Sequence, residues 1–449
     1  MQEKNVNFVS LGCRLNTLEA EKIRKMLAAA GAGRAVVINT CSVTAEAERQ
    51  SKQAIRRIIR ENPDTLMFVT GCAATRDPDG FRAIKGVTRV IVNKDKMDIA
   101  AYGIEGIGHK AYGINDFSVL SKGFVQIQTG CNHACAYCIV SKLRGKNVSF
   151  PYEQILGDAR ALTDNGYNEI VLTGVDIAGW RRPSFELEVL SFEFNEDENN
   201  SKLKTQHSTL ADLCKSLLCD LPNLKRLRLS SLDPGVDLRP IADLMRQDLR
   251  MLPHMHLSMQ SGADAVLASM GRRHNAEMVR RLVGAHTCAP GREYAPLQPI
   301  TFSWDMIFGF PGEGEKEFAE TCALIRELKP IRLHAFPFSP RPGTAAATMP
   351  NQVPRVESKR RVKIATDMAR ENMYGFMESQ IGKTVQVLVE NGNMARDAHD
   401  IPVKINGRAL PARSIADVRL TGIADRKELM FVGEVTKGAR RTRPYEPIP

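Results

Sequence analysis

The sequence predicts an α/β protein in three parts: an N-terminal parallel α/β sheet, a partial (β/α)6 barrel and a small C-terminal antiparallel β-barrel. Three patterns carry that prediction. Over residues 1–113 an apolar run followed by a helix-like stretch occurs three times, and each run ends at a cysteine. Over 118–377 six further apolar runs alternate with helix-like stretches. Over 380–436 the pattern changes to short alternating or β-branched runs separated by turn residues.

In the first part, Val6 to Leu11 leads into Gly12-Cys13 and a helix-like stretch from Thr17 to Ala30. Ala35 to Ile38 leads into Asn39-Thr40-Cys41 and a charged helix-like stretch through Arg60. Leu66 to Thr70 leads into Gly71-Cys72. Parallel βα units place all such post-strand positions along one edge of the sheet, where ligands bind. Cys13, Cys41 and Cys72 are therefore expected to converge despite their separation.

In the second part the expected strands are Phe124–Gln128, Glu169–Thr173, Lys225–Ser230, His256–Gln260, Phe302–Phe308 and Ile331–Phe336. Active-site groups would come from the loops after them. Two segments interrupt the alternation. Residues 181–207 are acidic and Asn/Ser-rich, and read as a surface insertion. Residues 288–299 carry three prolines and read as a loop. The third part offers runs at Thr384–Val389, Pro402–Ile405, Asp417–Leu420 and Leu429–Val432. The basic, proline-rich residues 437–449 are expected to be a disordered tail.

Composition narrows the function. A chain of 449 residues exceeds one ordinary core. Aromatic residues make up only 6%, which argues against a broad stacking platform for single-stranded nucleic acid. No apolar run is long enough to span a membrane, and the N-terminus lacks the layout of a signal peptide, so a cytoplasmic protein is expected. The ten cysteines then read as metal ligands, nucleophiles or core residues rather than disulfides. A net charge of +11 fits phosphate binding but does not establish it.

Cys131-Asn-His-Ala-Cys135-Ala-Tyr-Cys138 is the strongest single signal. Three thiolates on one tight loop after a predicted strand suit an iron–sulfur cubane. Three ligands leave one iron open, which points to a cluster that binds substrate or cofactor. A zinc loop would need a fourth Cys or His at suitable spacing, and His133 would have to be forced into that place. Cys13, Cys41 and Cys72 taken singly fit plain buried hydrophobes, but their equivalent places in three successive units argue against coincidence. Cys214, Cys219, Cys288 and Cys322 match no motif, and Cys214 and Cys219 are expected in the core.

The Cys-x3-Cys-x2-Cys loop, with an aromatic before its last cysteine, resembles the radical S-adenosylmethionine superfamily. Leu11-Gly12-Cys13-Arg14-Leu15-Asn16, Asn39-Thr40-Cys41-Ser42-Val43-Thr44 and Thr70-Gly71-Cys72-Ala73 resemble its methylthiotransferase family. The resemblance continues through Leu172 to Asp176, Arg226 to Ser231, His256 to Gly262, Gly309 to Glu313 and Phe338 to Thr344, and the C-terminal barrel resembles an RNA-binding TRAM domain. It implies two 4Fe–4S clusters, one on Cys131, Cys135 and Cys138 as the catalytic set and one on Cys13, Cys41 and Cys72. It also implies S-adenosylmethionine on the open iron of the first cluster and a methylthio group carried by the second.

Arg14-Leu15-Asn16 and the Phe338–Thr344 block favour the type that methylthiolates C2 of N6-threonylcarbamoyladenosine at position 37 of tRNA. The alternatives are the isopentenyladenosine type and the type acting on a ribosomal-protein aspartate. Outside that class stands a non-catalytic iron–sulfur RNA-binding protein. The resemblance implies cofactor contacts at Gly174, Asp176, Ser230, Ser231, Gln260, Gly309 and Glu313. Arg144, Lys146, Lys383 and Arg408 are candidate phosphate contacts. Expected partners are the tRNA anticodon loop and an electron donor such as flavodoxin or ferredoxin, with no membrane and the chain acting as a monomer. Ser141, Val148 and the 181–207 insertion depart from the family pattern.

Overall fold

A computed structural model describes residues 6–42, 44–104, 120–183, 208–287 and 299–436. The expected boundary at 113–118, most of the 181–207 insertion, all but the last residue of the 288–299 loop, and the 437–449 tail lie outside these residues.

The N-terminal sheet is wholly parallel, in the order β1 (Val6–Ser10), β2 (Ala35–Thr40), β3 (Leu66–Gly71), β4 (Arg89–Val90). All six residues of β2 are buried, which is why it reads as an unbroken Ala-Val-Val-Ile run rather than an alternating one. The helix Arg14–Ala29 buries Leu15, Leu18, Ile23 and Leu27. Leu15 and Leu18 pack against Phe124 and Val125 of the next unit, so this helix also covers the flank of the barrel. The helix Ala45–Glu61 starts where the Thr44 hydroxyl accepts from Ala47 N at 3.1 Å.

The second unit is a six-stranded parallel half-barrel. β5 (Gly123–Gln126), β8 (Glu169–Thr173) and β9 (Arg226–Leu229) form one sheet. β10 (His254–Gln260), β11 (Thr301–Phe308) and β12 (Arg332–Pro337) form the other. Parallel bridges Leu227–Met251 and Leu232–Leu257 join them. A short antiparallel ribbon, β6 (Gln128–Thr129) and β7 (Val148–Ser149), carries the segment with Cys131 to Cys138. In β10 to β12 one face is apolar (Met255, Leu257, Phe302, Trp304) and packs into the main core. The other face holds His254, His256, Thr301, Ser303, Asp305 and His334, whose side chains bond to one another across strands. Lys122, Glu169, Arg226 and Arg228 from the opposite strands lie on this same interior, in contact with a loop of the third unit.

The helix Arg355–Glu378 leads into a closed five-stranded barrel in the order β13 (Thr384–Asn391), β14 (Met394–Arg396), β15 (Pro402–Asn406), β17 (Phe431–Val435), β16 (Ile415–Ile423). It is not wholly antiparallel as expected, because closure pairs β15 with β17 in parallel. Its loop 397–400 plugs the start of the half-barrel: Arg226 donates to Asp397 O at 2.7 Å, and His399 Nδ1 lies 3.0 Å from Thr301 Oγ1. Cys214 is core as expected, but Cys219 is exposed because it falls on the outer face of the helix Leu210–Asp220. Among the described residues no helix is long and apolar enough to cross a membrane.

Candidate active site

The Cys131 loop is fixed at both ends and in its middle. Cys131 N donates to Gly145 O at 3.0 Å, Ala136 N to Met270 O at 2.9 Å, and Ala136 O accepts from Ala346 N at 2.8 Å. Gly130 has φ +70, and a Cβ there would lie 1.8 Å from Lys146 O, so only glycine fits. Donors point at the sulfurs. His133 N lies 3.4 Å from Cys131 Sγ, Val140 N 3.4 Å from Cys138 Sγ, and Arg272 Nη1 3.6 Å from Cys135 Sγ. Such donors stabilise thiolates, so the donor set fits an iron–sulfur cluster. Burial pushes the metal-free Cys131 thiol up to about 11 and raises Cys138 as well, so loading iron would release protons.

The second set stands on the carboxyl edge of the sheet. Thr40 pairs with Gly71 in register, so Cys41 and Cys72 leave neighbouring strands side by side. A Cβ on Gly12, φ +139, would meet Cys41 Cβ at 2.9 Å, which puts the Cys13 turn against Cys41. Buried amides hold the three strand ends. Asn16 Nδ2 donates to Leu11 O and Thr40 O, Asn39 Nδ2 donates to Asn16 O at 2.9 Å, and Thr40 Oγ1 donates to Thr70 O at 2.7 Å.

A buried ionic joint ties the two sets together. Arg144, after the Cys131 loop, donates to Glu19 at 2.6 Å and to Asn16 Oδ1 at 2.8 Å, and Lys96 lies 2.7 Å from Glu19. Burial would raise the Glu19 carboxyl, but Lys96 and Arg144 more than offset it and hold it down at about 2. Asn93 Nδ2 reaches both Cys72 Sγ at 3.5 Å and Leu143 O at 3.1 Å.

This joint corrects one expectation. Arg144 has a side chain only 5% exposed and committed to Glu19, so it is not placed to meet a phosphate. Lys146, Lys383 and Arg408 are exposed. Glu313 is also committed elsewhere: it accepts from Gly309 N and Phe310 N and pairs with Arg361 at 3.0 Å, bracing its own loop. A Cβ on Gly309 would strike Ser358, so that glycine admits the helix Arg355–Glu378 rather than a ligand. Asp176, expected at the cofactor, reaches the Cys131 loop, with Oδ2 2.8 Å from His133 Nε2. Gly174 lies against Gln128, whose Oε1 accepts from Val175 N and Asp176 N. The Ser230 hydroxyl is buried without a partner at the end of β9, and Ser231 is half-buried beside it. Gln260 adopts φ +67 at a β-bulge ending β10, in the left-handed region that is costly for a residue with a Cβ.

Sequence reasoning missed several residues around the site. Arg272 beside Cys135 also bonds Asp233 at 2.9 Å. His256 Nε2 lies 2.9 Å from Asp305, His334 Nδ1 3.5 Å from the same carboxylate, and His256 Nδ1 2.7 Å from Ser303 Oγ. Burial would raise Asp305, but the two imidazoles hold it well below the usual carboxylate range. The only sequence signal for this group was polar residues at period two within otherwise apolar strands.

Comparison with known proteins agrees with this geometry. Residues 125–325 match the model of the radical SAM superfamily, and residues 5–93 match uncharacterized protein family UPF0004. The threonylcarbamoyladenosine tRNA methylthiotransferase MtaB of Rickettsia prowazekii is 35% identical over 93% of this chain and 95% of its own length. The chain belongs to the radical S-adenosylmethionine methylthiotransferases of MtaB type. The MtaB of Bacillus subtilis is 33% identical over 78% of this chain and 76% of its own. A tRNA-2-methylthio-N(6)-dimethylallyladenosine synthase of Erythrobacter litoralis is 29% identical over 86% of each. The radical S-adenosylmethionine methyltransferase TsrM of Kitasatospora setae shares the fold, with TM-score 0.52 at 14% identity over 77% of this chain and 74% of its own. As an MtaB-type methylthiotransferase the chain is a transferase enzyme, and its superfamily implies a 4Fe–4S cluster and S-adenosylmethionine.

Proposed function

We propose that this methylthiotransferase adds a methylthio group to C2 of N6-threonylcarbamoyladenosine at position 37 of tRNA. The observation that carries the reading is the joint at Glu19, which ties the segment after the Cys131 loop, through Arg144, to the helix that follows Cys13. A sulfur-inserting enzyme needs its radical source and its sulfur beside one base. Cys131, Cys135 and Cys138 would hold one 4Fe–4S cluster, and Cys13, Cys41 and Cys72 a second. With S-adenosylmethionine bound, the first supplies a radical strong enough for an aromatic C–H position, which acid–base groups cannot activate.

The protein's own groups position and shield. The unpartnered Ser230 hydroxyl, Ser231, Gly174 and the left-handed Gln260 stand at the carboxyl ends of β8, β9 and β10, on the side where the cofactor would lie. Asp176 and Arg272 fix the Cys131 loop through His133 and Cys135. Lys146, Lys383 and Arg408 are exposed cations suited to the RNA backbone. The target base must leave its stack to enter, which single-stranded loops allow. The reading includes a cytoplasmic setting, a monomeric chain and a flavodoxin or ferredoxin as electron donor.

Nucleoside mass spectrometry of tRNA from a deletion strain tests the substrate. Loss of 2-methylthio-N6-threonylcarbamoyladenosine, restored by the intact gene, is expected. Loss of the methylthiolated isopentenyl nucleoside instead would transfer the enzyme to that substrate. Cys72→Ala should leave four irons per chain and intact S-adenosylmethionine cleavage, and retention of eight irons would overturn the second-cluster site.

A further inference from the structure

The interior of the half-barrel carries more positive than negative charge. Arg14, Lys122, Arg226, Arg228 and Arg332 meet there, facing the carboxylates of Glu169, Asp397 and Asp400. Burial keeps His254 and His399 neutral, His399 at about 3, so they add no charge. Asp305, one layer away, is taken up by His256 and His334.

Asp400 is held at φ +64 between the first and last strands and is shared three ways. Lys122 takes its Oδ1 at 2.5 Å, while Arg14 and Arg332 reach Oδ2 only at 3.6 and 3.8 Å. Arg14 remains 46% exposed and Arg332 28%. At those distances neither guanidinium hydrogen-bonds Oδ2; Arg332 spends one donor on Asp400 O at 3.3 Å, and both groups keep further donors for a second carboxylate. Arg228 adds a buried Nη1 without a hydrogen-bond partner.

Arg14 directly follows Cys13 and starts the helix that closes the flank of the barrel. A base receiving sulfur at the Cys13 set therefore has Arg14 as a neighbour. On adenine, C2 and the N6 substituent sit on the same six-membered ring with N1 and C6 between them. With C2 at the sulfur, the substituent lies about one ring further on, within the span of an arginine side chain. The threonylcarbamoyl group ends in a carboxylate, which needs a counter-charge when taken out of water. Guanidinium groups bind carboxylates in paired, planar geometry.

We infer that Arg14, assisted by Arg332, binds the carboxylate of the threonylcarbamoyl substituent and so sets substrate choice. This rests on the substrate proposed above. The test is equilibrium binding, without turnover, of the cluster-loaded full chain to fluorescent anticodon stem-loops. One RNA carries N6-threonylcarbamoyladenosine and the other its methyl ester, which removes only the charge. Wild type should bind the acid at least about tenfold more tightly than the ester, the range of a charge-assisted pair. Arg14→Gln should bring the ratio close to one, Arg332→Gln should lower it part-way, and Arg14→Lys should retain part of it. Iron content checks each variant, and the wild-type ratio needs no variant at all. Equal binding of acid and ester by wild type, or an unchanged ratio in an iron-replete Arg14→Gln, overturns the inference. If wild type still methylthiolates the acid RNA in those cases, the substrate reading stands alone. If wild type modifies only isopentenyladenosine RNA, both fall.

Discussion

Cys131, Cys135 and Cys138 share one short loop, whereas Cys13, Cys41 and Cys72 come from three strand ends that only the folded sheet brings together. The loop is held by backbone bonds to Gly145, Met270 and Ala346, and its three cysteines are half-buried. The other set rests on buried side chains: Asn16, Asn39, Thr40 and the Glu19 ion pairs. A local site survives small shifts of the surrounding sheet. A dispersed site inherits every change in strand register, and so its geometry should depend on global stability.

The largest way to break that contrast is Glu19→Gln. It strands Lys96 and Arg144, whose side chains are 6% and 5% exposed. A cost of about 3–5 kcal/mol is expected in denaturant unfolding, with the Cys13 irons lost before the others. The sign with pH follows from the lowered carboxyl. The Glu19 contribution is present above its ordinary 4.5 and fades as pH falls through about 2, so the variant should have a flatter acid limb. Equal loss of iron from both sets would remove the distinction.

Two glycines sharpen it. Gly71, φ +98, would place a Cβ 2.3 Å from Asn39 Oδ1 and 2.4 Å from Thr40 O. Gly71→Ala should cost on the order of 2–4 kcal/mol and empty the Cys72 set. Gly130→Ala meets an equally hard backbone clash, at Lys146 O, but in a loop. It should empty the Cys131 set with a smaller change in the unfolding midpoint, and iron counting beside urea titration separates the two. The smallest effect is Asn93→Ala, which removes the donor to Cys72 Sγ and Leu143 O. About 1 kcal/mol is expected, with iron content equal to that of the wild type.

The same contrast explains what could be read from the sequence. The Cys131 loop was legible because its ligands are neighbours in the chain. The Cys13 set was legible through the repeated βα unit, since topology alone converges strand ends. Most strands were legible too, as unbroken or alternating apolar runs. β14 was not, because three residues are too few to show a period. Charge read without partners misplaced Arg144 and Glu313: a cation in a sequence gives no sign that Glu19, 125 residues away, will take it. The polar interior face was hidden for the opposite reason. His256, Asp305 and His334 look like interruptions of apolar strands until β10, β11 and β12 are set side by side.

The loop 397–400 gives the small C-terminal barrel a second consequence. Arg226, Thr301 and Lys122 are partnered by that loop, so the half-barrel is completed by a segment more than a hundred residues beyond most of its strands. The small barrel is then not an exchangeable attachment. Trimming it to obtain a minimal catalytic fragment would take Asp397 O from Arg226 and the Asp400 carboxylate from Lys122, and would leave Glu169 as the one carboxylate facing Lys122, Arg226 and Arg228. Engineering one unit therefore requires carrying the other along.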